Sequence, residues 1–130
     1  MIDMEVNGKK FRLLGTHPAP PVNKELLDFR NDQIQEIGDF KVKQSVPVIL
    51  AGDLNITMWS SYYQKFIEDT GLKNARKGFG ILPSWPTMLS VMMIPLDHFL
   101  YSPEFKVIDI RTAGSIGSDH LPVIAEFAVL

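Results

Sequence analysis

The 130-residue chain contains no cysteine, which excludes a disulfide framework, a zinc–thiolate site and a thiol nucleophile. That absence suits a reducing or an oxidising compartment and separates neither. A basic excess is also missing: 13 Lys and Arg against 15 Asp and Glu leave a formal net charge of −2. Proteins that hold a large duplex draw most of their affinity from phosphate contacts, so this balance argues against such a substrate. The basic clusters that do occur (Lys9, Lys10 and Arg12; Lys41 and Lys43; Arg76 and Lys77) read as solvated surface. No apolar run approaches the roughly 20 residues of a membrane-spanning helix, and the N-terminus has no signal-peptide pattern. Internal repeats and low-complexity tracts are absent too. What is there is an ordinary globular composition, 45% hydrophobic and 22% charged. A chain of this length makes one domain able to bury roughly two-thirds of its unfolded surface.

Punctuation along the chain predicts the order of elements. Met4–Val6 and Phe11–Thr16 flank Asn7-Gly8, a hairpin signal. The second strand runs into Thr16-His17-Pro18, where Pro18, Pro20 and Pro21 forbid regular structure, so His17 opens a loop at a strand end. Residues 24–40 read as a helix capped by Asn23, its apolar face built from Leu26, Leu27, Phe29, Ile34, Ile37 and Phe40. Val46–Ala51 reads as a strand buried on both faces, followed by Gly52-Asp53-Leu54-Asn55 just past its end. A second helix covers Ser60–Asp69 and stops at Gly71, after which residues 73–90 read as a long loop rich in Gly, Pro and Ser. Strands follow at His98–Tyr101, Lys106–Ile110 and Val123–Val129, with the glycine-rich Gly114–His120 loop before the last. Mixed elements with polar loops at strand ends predict a layered α/β fold.

Four places repeat one pattern, in which a buried strand meets a loop presenting Asp, Asn or His: His17, Asp53 with Asn55, Asp97 with His98, and Asp119 with His120. All three histidines of the chain fall in them. Any one alone would be weak, since Asp and Asn in turns bond their own backbone. Asp97 is harder to dismiss. A carboxylate inside an apolar run costs several kcal/mol unless paired, so it calls for a partner such as a histidine.

Together, Thr16-His17-Pro18, Gly52-Asp53-Leu54-Asn55, Pro95-Leu96-Asp97-His98-Phe99 and Gly117-Ser118-Asp119-His120-Leu121-Pro122-Val123 resemble, in order, the C-terminal-half motifs of the endonuclease/exonuclease/phosphatase superfamily. The resemblance spans residues 16–123 and implies metal-dependent hydrolysis of a phosphodiester or phosphomonoester on a layered, deoxyribonuclease-like α/β sandwich. By that resemblance Asp53 orients or deprotonates the attacking water, and Asn55 hydrogen-bonds the phosphate or that water. His120 meets the phosphoryl group as base or charged donor, Asp97 pairs with it, and His17 is a second phosphate-binding histidine. Asp119 lies at or near a Mg²⁺ or Mn²⁺ ion. His98 reads as supporting structure and Trp85 as packing rather than substrate stacking. The proline-rich segment followed by Arg30 and Gln33 is most similar to a bacterial branch of uncertain substrate. Some members of that branch carry membrane segments ahead of the domain, which implies a bacterial protein tethered through upstream sequence.

The resemblance also implies that residues 1–130 are the C-terminal portion of one domain. The family's first half supplies an asparagine and a metal-binding glutamate, and Glu5 does not match the latter motif. The expected partners are therefore a phosphate-ester substrate (small molecule, lipid head group or nucleic acid), the missing half of the domain, and further copies of the chain that cover exposed faces. Alone, the chain is expected to bind metal poorly and turn over little. The competing expectation is a non-catalytic interaction module that keeps the motifs and is stabilised by self-association.

Overall fold

A computed structural model describes residues 1–130. The hairpin forms as β1 (Ile2–Val6) and β2 (Lys9–Gly15), turning through Asn7 and Gly8, both at positive φ. Helix α1 (Lys24–Val42) leads to β3 (Val48–Asp53), and α2 (Ser61–Thr70) to the short β4 (Lys73–Asn74). Then come β5 (Asp97–Tyr101), β6 (Phe105–Thr112) and β7 (Val123–Val129). Five strands pair in the order β1-β2-β3-β5-β4, while β6 and β7 form a separate antiparallel ribbon. The expected layered α/β arrangement is what the chain adopts.

Strand periodicity builds the layers. On β3, Val48 and Leu50 face one way and join Leu14, Ile34, Leu54, Tyr63, Phe66, Leu72 and Leu100 in a core between the sheet and both helices. Ile49, between them, points to the opposite face and packs with Phe11 and Phe105 against Phe99, Tyr101, Phe127 and Val129. The ribbon thus covers the second face of the sheet, and β3 is buried on both sides as its apolar run requires.

Several boundaries differ from expectation for identifiable reasons. β3 starts after Pro47, whose ring cannot donate to the ladder but whose carbonyl accepts from Arg12 N–H at 2.9 Å. It then continues through Gly52 to Asp53, because antiparallel β5 keeps pairing there. Gly52 and Asp53 are therefore the last strand residues, not residues just past the strand's end. On α1 the buried line is Arg30, Ile34 and Gly38, with Ile37 at its margin. Phe29 and Phe40 lie about 120–140° around the helix from Ile34 and stay 52% and 40% exposed. The segment after α2 is not a featureless loop: Lys73–Asn74 adds an edge strand, and Ser90–Met92 forms a 3₁₀ turn. The capping expectations hold. Asn23 accepts from Leu26 N–H at 2.8 Å, and Gly71 ends α2 at φ +66°.

Under the sheet's functional edge lies a buried polar cluster. His98 is 1% exposed; its Nε2–H donates to the Ile56 carbonyl at 2.8 Å, and its ring stacks on Tyr63 with centroids 5.0 Å apart. That bond leaves Nδ1 as the acceptor facing Arg76 Nη1 at 3.5 Å. Arg76 spends its other nitrogens on the carbonyls of Ile81, Leu82 and Asp97. Burial first, and the Arg76 charge second, push the His98 pKa down from 6.5 to about 4.

Two outcomes follow from this packing. A Cβ at Gly52, whose φ is +152°, would meet the Thr16 carbonyl oxygen at 1.8 Å, whereas a Cβ at Gly15 meets nothing within 4 Å. Thermal melts should place Gly52→Ala more than about 3 kcal/mol below wild type and Gly15→Ala within about 1 kcal/mol of it; equal losses would contradict the close-approach account. For His98, the unfolded chain binds the extra proton between pH 6.5 and about 4, so the stabilisation is complete above that window and falls as pH drops through it. Urea titrations should show about 2 kcal/mol of this loss between pH 7 and pH 5. His98→Gln should flatten that slope, and an unchanged slope would assign it to other groups.

Candidate active site

Strand directions bring the polar residues to one edge. β2 and β3 run parallel, so both end there, and β5 runs antiparallel to β3, so it begins there. His17 leaves the end of β2, Asp53 closes β3, and Asp97 opens β5 directly opposite Asp53. The loop before β7 brings in Asp119 and His120. It is tied down by Leu121 N–H to the Ser84 carbonyl at 2.8 Å and Thr87 N–H to the Asp119 carbonyl at 2.9 Å.

Asp53 stands at the centre. Its Oδ1 accepts the Asn55 backbone N–H at 2.8 Å, while Oδ2 lies 3.5 Å from His17 Nε2 and 3.7 Å from His120 Nε2. Burial raises its pKa most, the nearby Asp97 charge adds to that, and the Asn55 N–H and both histidines oppose it; the balance is upward. Asn55 takes φ +50°, a left-handed conformation that asparagine tolerates, and its side-chain amide donates to the Pro18 carbonyl at 2.9 Å. That bond ties the Asp53 loop to the His17 loop.

His120 Nδ1 donates to Asp97 Oδ2 at 2.8 Å, which fixes the ring and turns Nε2 toward Asp53. Partial burial disfavours its charged form, but the Asp97 hydrogen bond and the charges of Asp97, Asp53 and Asp119 outweigh it, so its pKa is raised above 6.5. The partner that Asp97 calls for in the sequence is present. His17 is largely exposed, and its ring edge points to Asp53.

Asp119 stands apart. Asp53, Asp97 and His120 place one potential ligand atom each within 4.8 Å of one another, and Asp119 is not in that group. Its exposed carboxylate instead accepts Trp85 Nε1–H at 3.2 Å. Both residues line one cavity of about 800 Å³ with His17, Asp53, Asn55 and His120. As a site for a hard cation the donor chemistry fits: Mg²⁺ takes one or two protein carboxylates and keeps waters or phosphate oxygens for the rest. Asp53 and Asp119 are the carboxylates open to it, since Asp97 is committed to His120.

The structure adds wall residues that the motifs did not assign. Trp85, Ile94, Leu96, Thr57, Ser60 and Arg30 all border the cavity. Trp85, read as packing, both lines this space and holds Asp119. For Arg30 a signal existed: it lies one turn before Ile34 on the buried face of α1, an unusual place for a cation.

Residues 5–120 match the Endonuclease/Exonuclease/phosphatase family, and the chain belongs to that family. Its members are generally divalent-metal-dependent phosphoesterases. A UPF0294 protein of Yersinia pseudotuberculosis is 33% identical over 128 residues, which cover 89% of this chain and 43% of that protein. Among solved structures, the endonuclease/exonuclease/phosphatase of Beutenbergia cavernae superposes with TM-score 0.73 at 24% identity, over 98% of this chain and 38% of that one. The human Nocturnin catalytic domain gives 0.71 at 20% identity, over 95% and 49%. These likenesses establish the deoxyribonuclease-like fold, and the chain spans less than half of the curated relatives it matches.

The Asp97–His120 pair makes a spectroscopic prediction. In proton NMR titrations the His120 ring should titrate above an ordinary histidine, and Asp97→Asn should lower that pKa while leaving its fold signature intact. A His120 midpoint indifferent to Asp97→Asn would remove the pairing as its cause.

Proposed function

We propose that the domain to which this chain belongs hydrolyses a phosphodiester or phosphomonoester bond with a divalent cation, Mg²⁺ or Mn²⁺, and that this chain supplies the water-activating and phosphate-binding residues. The observation that carries this reading is the convergence of His17 and His120 on one carboxylate oxygen of Asp53, with Asp97 behind His120.

Each side chain then has a task suited to its surroundings. Asp53 accepts the proton of the attacking water through Oδ2, the oxygen that faces His17 and His120. Asn55 keeps Asp53 oriented through its backbone N–H and borders the cavity where the phosphate enters. His120, held by Asp97, presents Nε2 to the phosphoryl oxygens. His17 offers a second donor from the open side. Asp119 and Asp53, both on the cavity wall, are the carboxylates that would hold the cation, which would supply charge neutralisation of the phosphoryl group. With Trp85, Ile94, Leu96 and Val22 beside the polar residues, the cavity would suit a phosphate ester carrying an apolar or aromatic moiety.

The test is hydrolysis of bis(p-nitrophenyl) phosphate and p-nitrophenyl phosphate with Mg²⁺ or Mn²⁺, in this chain and in a polypeptide of the relatives' full length. In whichever polypeptide is active, Asp53→Ala and His120→Ala should each lower kcat by about 10²–10⁴-fold, the usual worth of a general acid or base. No turnover in either polypeptide, or full turnover with Asp53→Ala, would retire this reading.

A further inference from the structure

The chain buries two arginines, and they differ in what their charge meets. Arg76 is 2% exposed, and every guanidinium nitrogen has a partner: Ile81, Leu82 and Asp97 carbonyls and the His98 ring. Arg30 is 5% exposed, yet only two of its nitrogens are used. Nε donates to Asn31 Oδ1 at 2.9 Å and Nη1 to the Asn55 carbonyl at 2.6 Å. Nη2 has no hydrogen bond within the chain. The Tyr63 hydroxyl is the one fully buried side-chain polar atom left without a partner. Nη2 therefore reaches open space, and the space Arg30 borders is the cavity of His17, Asp53 and His120.

The electrostatics reinforce the point. Arg30 takes part in none of the chain's ion pairs. Burial lowers its pKa, and no carboxylate opposes that. A buried cation without an anion is costly unless something anionic joins it, and a planar guanidinium suits phosphate oxygens. We propose that Arg30 is a substrate-binding residue of this site, its free Nη2 edge receiving a non-bridging phosphate oxygen while Nη1 holds the Asn55 loop in register. This rests on the reading of the cavity as a phosphate-ester site.

α1 is shaped for this role. Gln33, three residues on, accepts the Ala19 N–H at 2.8 Å in the loop that follows His17. One helix face thus fixes both loops, Arg30 the Asp53 side and Gln33 the His17 side, and Asn55 Nδ2 joins them through Pro18. Removing Arg30 takes away a charge in the wall and a tether together, so the test separates the two.

Inorganic phosphate is the probe, titrated into ¹⁵N-labelled chain at constant ionic strength while the Arg30 guanidinium and His17 and His120 ring signals are followed. Both sets should move with one Kd. Arg30→Gln should weaken phosphate binding about ten- to a hundredfold, the worth of a charge-assisted hydrogen bond. Arg30→Lys, which restores charge without the fork, should bind phosphate more tightly than Arg30→Gln and less tightly than wild type. Silent Arg30 signals while the histidines respond, or Arg30→Lys as weak as Arg30→Gln, would make Arg30 a structural tether only and overturn the inference. Phosphate that moves neither histidine would overturn it as well, and with it the phosphate-ester reading of the cavity, an outcome plainly distinct from loss at Arg30 alone.

Discussion

A carboxylate at the end of a buried sheet needs a compensating group, and that requirement organises this molecule. Asp97 opens β5 facing Asp53 across the ladder, so two negative charges share one edge of a sheet covered on both faces. The arrangement is tenable because His120, from the far end of the chain, donates to Asp97, while Asp53 is surrounded by the Asn55 N–H and two imidazoles. The loop carrying His120 is in turn anchored to the Ser84–Thr87 segment, and that segment to β5 through Ser84 Oγ. The polar edge and the loops around it are therefore one mutually dependent set.

The same logic separates groups that maintain the fold from groups available to a ligand. His98 and Arg76 are among the most deeply buried polar residues here, yet their hydrogen bonds are consumed within the chain and the imidazole is kept neutral. Asp53, His120 and Arg30 are also withdrawn from bulk water, but each leaves an atom facing the cavity. Burial alone marks none of them as functional; unspent hydrogen-bonding capacity beside open space does.

Much of this was legible in the sequence because the signals were local. Asn7-Gly8, Asn23 and Gly71 each specify a turn or cap by their own backbone chemistry, and all three behave as read. The partner demanded by Asp97 followed from the cost of burying a charge, and His120 fills that place. Readings that depended on tertiary neighbours fared differently. The continuation of β3 to Asp53 is decided by pairing with β5, and the burial of Arg30 in place of Phe29 or Phe40 by how α1 rolls onto α2 and the sheet. Asp119 joins Trp85 rather than the Asp53 group because a loop, not a strand, sets its direction. A short polar residue in a loop leaves no periodic trace of where it will point.

The two imidazoles beside Asp53 come from segments at opposite ends of the chain, His17 from the end of β2 and His120 from the loop that leads into β7. Such a centre has no local precursor. Closing it requires the parallel β2–β3 pairing, the antiparallel β5 and the final ribbon all to be in register, contacts between residues far apart in sequence. The chemistry is in this sense an all-or-none readout of topology: a chain with native helices but an unfinished sheet would contain every motif and none of the pocket.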